Sequence, residues 1–501
     1  MASTLSPAKV VLLAVHFAGH ADIESLAALT ATHASILHDE LLLRIILTHL
    51  PETTRPDAYT GFLQNVVDHA SEGGQLESLD TSPVDRLDDG EAAKRATKLH
   101  LLPLLYPCTP ETSQGDALTR FLFLRTHKMD EETGMLAQLL DLLLPFLSRN
   151  SAIQKWAMAT VLPYVRKGLE FRMGQPPEYS LAEFEKLTDQ QAVKFLLSPG
   201  GTLSQSRDNV DHSLRNVVGP WLYDIDRWDC SGKTSGDETS SVFCPGWQHV
   251  REWLLSQATL SWSVAVLAIE RWGGPDDVDF GDGIPLYLPA PYKYYLEQTY
   301  ATTVMACVYG VQEATLECLT RMYSLLTTLR QYLGYDVDVI PVEQAINALL
   351  DLSVTDISTF HGGRVASFMR NSLLEQHNPL TNPSQDSTKF LLALVLSAYL
   401  LTTFGSPSSV RRAGELSLLQ DERDQKAEVL KLLRGIAGEA PNESDDYLQR
   451  ARLSLLWLRD WGQGSTGTSP GEPAPQGALG MVAREYMEAE FLKLLLSKGR
   501  R

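Results

Sequence analysis

The sequence predicts an all-α protein, an elongated and irregular α-solenoid of stacked antiparallel helix pairs. Residues that start and end helices recur along the whole chain, and the apolar residues between them follow a helical period. Strand patterns are almost absent: Tyr335–Val342 and Ile284–Leu288 are short and predict no sheet. At 501 residues the chain is too long for one compact core, and its 44% hydrophobic content excludes wholesale disorder.

The first three predicted helices form one layer of such an array. The first begins at Ser6 and Pro7 and ends at Gly19, and Asp22 caps the second. The apolar positions of the first recur at helical spacing: Val10, Leu13, Ala14 and Phe17. The third, Glu40–Leu50, is apolar nearly all round, so it must be covered on more than one side.

Later helices show the same starting and ending residues. They are predicted from Asp116 to about His127, at about Glu131–Leu144, from Asn150 with a kink at Pro163, at Pro245–Ser256, from Asp421 to Gly435, and along Leu448, Ala451, Leu455 and Leu458. The apolar run Phe390–Phe404 is shorter than the roughly 20 residues that span a bilayer, so it predicts a buried helix. No fixed-period repeat occurs, which favours an irregular array.

The chain divides into a long helical part and a short terminal part. The solenoid is predicted over residues 1–461, with flexible loops near 71–91, 229–241 and 273–283. Residues 462–481 form a Gly/Pro/Ser-rich linker, and 482–501 begin a further solenoid segment. Because its last helix, about Val482–Leu496, has an apolar face and little chain after it, we expect a truncated array, either an N-terminal portion or a shortened gene model.

Charge and cysteine content narrow the functional classes. The chain has 62 acidic and 43 basic residues, a net charge of −19. That charge disfavours binding to nucleic acid or directly to an anionic membrane. Five cysteines without any CxxC pair predict no disulfide framework and a reducing compartment.

Two sets of residues resemble metal ligands. They are His16, His20 and Glu24 in one set, and Cys230, Cys244 and His249 with His212 in the other. The first set crosses the junction between two predicted helices, which breaks the shared face that ligands need. The spacing of the two cysteines fits no ordinary zinc ribbon or finger. Packed or solvated side chains are therefore the favoured interpretation, and we expect no metal.

Two loops resemble ligand-binding motifs but lack required residues. Gly232-Lys233-Thr234 matches the end of a P-loop, but Arg227 stands where a glycine is needed and no strand precedes it. A run of acids resembles a calcium loop: Asp276, Asp277, Asp279 and Asp282. Gly281 and Leu288 occupy two positions where that loop needs ligands, which favours a solvated acidic loop.

No catalytic motif and no cofactor site is found, so we expect a protein that is not an enzyme. An all-α enzyme with a dispersed His/Asp site stays as a less favoured alternative.

Tryptophans are concentrated in the middle of the chain. Six of the nine lie between Trp221 and Trp272. They predict either an aromatic surface for a partner or, the favoured interpretation, packing of Trp253 and Trp262 between helical layers.

Several stretches resemble a known family. They are Val10–Phe17 with Leu41–Glu52, the block from Trp247 through Trp272 to "GGPDDVDFGDG", and His377–Leu433. The last begins "HNPLTNPSQDSTKFLLALVLSAYLLTTF". Together they resemble the fungal secretory-pathway tether subunit whose animal relative is the neuroblastoma-amplified sequence protein. The resemblance extends over most of the chain and is carried by no short motif.

The resemblance implies a specific function. Members are α-solenoids on the cytoplasmic face of the endoplasmic reticulum (ER), peripheral to the membrane and attached through proteins. They belong to the complex that tethers Golgi-derived, coatomer-coated vesicles, and they connect a partner tether subunit to an ER SNARE. The resemblance implies no catalytic residue, and the helices that bind each partner remain open. A generic helical-repeat adaptor, similar to a transport receptor or a nuclear-pore scaffold, is the alternative.

Overall fold

The computed structural model describes residues 5–67, 79–105, 116–171, 178–198, 209–230, 242–336, 338–348, 367–419, 421–439, 445–461 and 477–497. In chain order, the α-helices of these residues are α1 (Pro7–Gly19), α2 (Ile23–Thr32), α3 (Asp39–His49), α4 (Thr60–Val67), α5 (Ser82–Asp85), α6 (Asp89–Thr97), α7 (Ala117–Thr133), α8 (Leu136–Leu143), α9 (Ser151–Trp156), α10 (Leu162–Phe171), α11 (Leu181–Phe184), α12 (Asp189–Leu196), α13 (Val210–Ser213), α14 (Gly219–Leu222), α15 (Pro245–Leu260), α16 (Trp262–Arg271), α17 (Ala290–Gly310), α18 (Leu316–Tyr332), α19 (Val342–Ala348), α20 (Gln385–Thr403), α21 (Val410–Leu419), α22 (Glu422–Glu439), α23 (Asp445–Asp460) and α24 (Arg484–Ser497). Single 3₁₀ or π turns lie at Pro56–Ala58, Leu144–Phe146, Ala157–Val161, Leu214–Val218 and Ile225–Arg227.

These helices form two compact units. The first comprises Met1–Thr202, Asn216–Ile225 and Val278–Tyr287, and the second comprises Leu203–Arg215, Asp226–Asp277 and Leu288–Arg501. In the first, α1 packs against α2, α3 and α6, and α3 packs against α7. In the second, α15 packs against α16 and α17, and α18 packs against α16 and α20. Neighbouring helices stack on one another in both units, so the all-α prediction of stacked helices is confirmed.

Local capping explains where several helices begin. The Asp22 carboxylate accepts a hydrogen bond from the Ser25 amide at 3.1 Å. Asp116 accepts one from the Thr119 amide at 2.9 Å. Both satisfy an amide that has no partner inside its helix, so the two predicted starts are confirmed.

Several predicted helix boundaries are wrong, including the end at Ser256, since α15 continues to Leu260. Helix α7 continues past His127 to Thr133 and ends where Gly134 adopts a left-handed conformation with φ 64°. The predicted start at Glu131 therefore lies inside α7. Helix α22 runs through Gly435 to Glu439, because this glycine serves a close packing contact and not a helix end.

The predicted kink at Pro163 is preceded by a change in the helix itself. The π turn at Ala157–Val161 separates α9 from α10, and Pro163 lies in the first turn of α10. A wider turn just before a proline leaves room for its ring against the preceding carbonyls.

The predicted loop near 71–91 is wrong in its second half, while residues 71–78 lie outside the described part of the chain. Helix α5 begins at Ser82 and α6 begins at Asp89. The content of Gly, Ser, Pro and Asp suggested a loop, but α6 packs on α1 and buries Ala92. Tertiary burial has therefore overridden a weak local signal.

The other predicted loops and strands have mixed outcomes. Residues 273–283 contain no helix or strand. The first two residues of the predicted loop at 229–241 form a strand, β1 (Asp229–Cys230), which pairs antiparallel with β2 (Val242–Phe243), and residues 231–241 lie outside the described part of the chain. Neither Ile284–Leu288 nor the described residues of Tyr335–Val342 form a strand.

The second unit is built around α20. Nearly every residue from Ser387 to Leu401 is buried, and the helix packs against α18 and α21. The buried-helix prediction for this apolar run is confirmed. Within the described residues, no helix is both long and apolar enough to cross a membrane.

The end of the predicted 462–481 linker is packed. Residues 462–476 lie outside the described ranges. The Gly477 amide donates to the Arg459 carbonyl and the Leu479 amide to the Leu458 carbonyl, each at 3.1 Å, and Leu479 is fully buried. Helix α24 then packs on α22, which buries part of its predicted apolar face.

Candidate interaction surfaces

The first set of residues that resembles metal ligands is not brought together. His20 follows the last residue of α1, and its Nδ1 hydrogen-bonds the His16 carbonyl at 2.8 Å. Ala21 has φ 56°, so the chain turns sharply before Glu24. Among the described residues, no group of three or more His, Cys, Asp or Glu side chains is placed to hold a metal ion.

Two members of the second set that resembles metal ligands, Cys244 and His249, have structural roles. Cys244 is buried at the N-terminus of α15, and its Sγ accepts a hydrogen bond from the Trp247 amide at 3.4 Å. His249 pairs with Glu252 one turn along the same helix, at 3.1 Å. Cys230 lies in β1 opposite Val242. Residues 232–234, the P-loop-like triplet, lie outside the described residues.

The acidic loop is neutralised by the protein's own cations. Asp276 pairs with Lys293, Asp277 with Arg215, and Asp279 with Arg166. The Asp277 carboxylate also accepts a hydrogen bond from the Gly273 amide at 3.0 Å. Because three of the four acids have their own partners and Asp282 is exposed, the structural interpretation of this loop is favoured over an ion site.

The tryptophans divide into buried and half-exposed groups. Of the six between Trp221 and Trp272, four are buried: Trp221, Trp228, Trp247 and Trp272. Trp253 and Trp262, which were predicted to pack between layers, are only half-buried. In the second unit, Trp247 Nε1 donates to Thr299 Oγ1 at 2.8 Å, which joins α15 to α17.

A buried arginine lies one turn along α15 from Trp247. Arg251 donates to Thr303 Oγ1 at 2.9 Å and to the Leu374 carbonyl at 2.8 Å. Burial lowers the pKa of its guanidinium from the ordinary value. These bonds fix α15 against α17 and the segment before α20, so this group is part of the core and not a free surface.

A charged cluster joins α3 to α7 in the first unit. The fully buried Arg125 donates to the carbonyls of Leu50 and Pro51 at 2.9 and 2.8 Å and to Glu52 at 3.2 Å. Lys128 lies 2.6 Å from the same carboxylate. Burial tends to raise the pKa of Glu52, but the Lys128 hydrogen bond and the two cations hold it below its ordinary value. The cluster satisfies the carbonyls of the two residues that follow α3.

Asp130 fixes the loop that leads into α11. Its carboxylate accepts hydrogen bonds from the Leu181 amide at 2.7 Å and from the Tyr164 hydroxyl at 3.0 Å. Burial raises the pKa of Asp130 above its ordinary value despite these bonds. All these groups are engaged internally, which indicates a structural role.

The first unit has an open groove between α2 and α4, here called the α2–α4 groove. Its volume is about 700 Å³. Its apolar lining includes Ile23, Ala27, Ala31, Ala34, Phe62 and Val66. Glu24 and Asp39 lie at its rim. Such a channel with a polar rim is typical of helix-binding surfaces.

A second, smaller groove of about 430 Å³ lies between α3, α7 and α11. Its outer wall is the extended segment 101–105. Arg44 Nη2 and Nε donate to the carbonyls of Leu101 and Leu102, each at 3.1 Å, and the Leu102 amide donates to Thr48 Oγ1 at 2.9 Å. Leu105 is 72% exposed beside it.

A family model for the secretory pathway protein Sec39 matches residues 11–501. The chain belongs to the Sec39 family. No curated protein matches it significantly. Family membership confirms the resemblance seen in the sequence, and the match extends over both compact units. The role of this Sec39-family chain therefore lies in the secretory pathway.

Sequence reasoning named no partner-binding residue of this Sec39-family chain. The α2–α4 groove was not predicted, because the spacing of alanines in a sequence is the same whether they line a groove or pack in a core. The only available signal is the density of alanine in α2 and after it, at Ala27, Ala28, Ala31 and Ala34.

Proposed function

We propose that this chain is a non-enzymatic scaffold subunit of an ER vesicle-tethering complex in retrograde Golgi-to-ER transport. In this role it bridges a partner tether subunit and an ER SNARE from the cytoplasmic face of the membrane. The observation that supports the proposal is the match of the Sec39 family model along residues 11–501.

The architecture and charge agree with this role. Stacked helices offer long lateral surfaces on which several helical partners can bind side by side. A net charge of −19 opposes direct contact with an anionic leaflet, so attachment through a protein is the favourable route.

Quantitative affinity capture tests the proposal. The chain is tagged at its own locus, captured from a mild detergent extract and analysed by mass spectrometry. We expect the other tether subunits and at least one ER SNARE at near-stoichiometric amounts. Recovery of none of them would contradict the proposal.

Localisation and transport give an independent readout. The tagged chain should show a reticular ER pattern, and its depletion should slow the return of a retrieved cargo from the Golgi to the ER. A nuclear-rim pattern with normal cargo return would instead favour a nuclear-pore-like adaptor.

A further inference from the structure

The α2–α4 groove has a fixed floor. The segments that form it are anchored by buried leucines, since Leu26, Leu29, Leu37 and Leu63 are each at most 1% exposed. The Asp22 cap fixes the start of α2, and Thr30 Oγ1 donates to the Leu26 carbonyl at 2.8 Å. A groove on a packed floor is pre-formed, which lowers the entropic penalty of binding.

The lining is apolar yet open to solvent. Ala31, Ala34 and Ala58 are exposed, and Phe62 and Val66 are half-buried. Pockets for small ligands usually enclose roughly 70–90% of the ligand surface, which an open channel cannot do. Methyl side chains along one wall instead let another backbone approach closely, as at tight helix–helix contacts.

The rim carries one sign of charge. Glu24 is exposed and Asp39 is half-buried, and the lining residues that the structure describes include no lysine or arginine. Neither carboxylate forms an ion pair with any residue that the structure describes. Asp22 caps α2 by accepting from the Ser25 amide and His38 caps α3 by accepting from the Leu41 amide, so these two amides are not free to bind an anion. The rim therefore favours a cationic partner.

We infer that the α2–α4 groove binds an amphipathic helix of another protein, with an apolar ridge flanked by lysine or arginine. The ridge lies along Ala27, Ala31 and Phe62, and the flanking cations face Glu24 and Asp39. A second copy of this acidic chain is disfavoured by like-charge repulsion, and an anionic lipid surface is disfavoured by the same rim. This inference deepens the proposed function, since it names the kind of partner helix that one surface of the scaffold accepts.

Photo-crosslinking in cells tests the occupant. A benzophenone amino acid is placed at Ala31 in the groove and, as a matched control, at the exposed Ala93 of α6. We expect the Ala31 probe alone to crosslink a peptide of another protein with apolar residues at helical spacing and basic residues beside them. A crosslink to this chain itself, to a second copy or to lipid, or none at all, would overturn the inference.

Matched charge variants test how much the groove contributes to binding of the partner. Ala31→Arg places bulk and positive charge in the groove, whereas Ala93→Arg makes the same change on another exposed helix face. We expect Ala31→Arg to reduce capture of the crosslinked partner about tenfold and Ala93→Arg to leave it unchanged. Glu24→Gln should weaken it about two- to fivefold and reduce its dependence on salt.

The outcomes separate the two proposals. Equal capture by Ala31→Arg and Ala93→Arg overturns the groove inference, even when tether subunits are recovered. If the wild type recovers no tether subunit but the groove crosslinks a basic amphipathic helix, the proposed function fails and the groove inference stands. Should Ala31→Arg lose helix content by circular dichroism, the exposed Glu24→Gln variant decides the question.

Discussion

Gly435 in the middle of α22 lies directly against the carbonyl group of Phe404, at the end of α20. A Cβ built on Gly435 would overlap the Phe404 carbonyl oxygen and lie 2.8 Å from its carbonyl carbon. Gly405, which follows, has φ 80° and turns the chain away. The two backbones pack together here without any side chain between them, so this position requires glycine.

Gly435→Ala should destabilise the contact between α20 and α22. The methyl group meets backbone and not a flexible side chain, so one helix must move. Overpacking of this kind costs about 1–3 kcal/mol. Hydrogen exchange of the α22 amides should become faster by the factor that corresponds to this loss of free energy.

Gly438→Ala on the same helix is the matched control. A Cβ there meets nothing within 4 Å, and the residue is exposed. Alanine in this helical position should therefore stabilise α22 by about 0.5 kcal/mol. Equal effects of the two substitutions would refute the packing explanation.

Arg125→Met should loosen the attachment of α3 to α7. The substitution keeps much of the side-chain volume but leaves the Leu50 and Pro51 carbonyls without their donor. Removing one member of a buried charged group costs about 3–5 kcal/mol, and the remaining Lys128–Glu52 pair favours the lower end of that range. Hydrogen exchange in α3 and α7 measures the change.

Arg95→Met provides the comparison for an exposed ion pair. Arg95 pairs with Glu91 one turn away on α6, and both side chains are more than half exposed. Such pairs contribute about 0.5 kcal/mol or less. A loss as large as that of Arg125→Met would contradict the role given to burial.

Acid should abolish the stability that Glu52 contributes. Burial acts to raise its pKa, but the hydrogen bond and charge of Lys128, with Arg125, lower it below the ordinary 4.5. A carboxylate whose pKa is lowered in the folded state stabilises the folded protein at pH values above its unfolded-state pKa. This stabilisation is lost as the pH falls through the folded-state pKa. The stability difference between wild type and Glu52→Gln should be constant near pH 7 and shrink below about pH 4.5. Urea titrations at pH 7, 5, 4 and 3 test this, and a difference independent of pH would exclude the assignment.

Local signals in the sequence predicted several helix starts, while contacts between distant segments decided features that the sequence did not predict. Asp22 and Asp116 bind amides three residues away, so sequence spacing alone identifies them. Gly435 looked like a helix end because its role depends on Phe404, which is distant in the chain. The role of Arg125 could not be predicted from the sequence, because its acceptors are backbone carbonyls of Leu50 and Pro51, which are distant in the chain.

The α2–α4 groove was beyond prediction for a related reason. The sequence does not distinguish an alanine that is half-exposed from one that is packed in a core. These alanines line a channel only because α4 lies beside α2. The weak helix α6 was missed because its stability depends on its contact with α1.

The two tryptophans on α15 should differ in their contribution to stability. Trp247 is fully buried and donates to Thr299 at 2.8 Å, whereas Trp253, less than two turns away, is half-buried. Trp247→Phe removes that donor and leaves a space in the core, at about 1–3 kcal/mol. Trp253→Phe keeps most of its contacts and should change stability by less than about 1 kcal/mol. Hydrogen exchange of α15 and α17 distinguishes them, and a larger loss from Trp253→Phe would show that the half-exposed ring, not the buried one, holds this helix pair together.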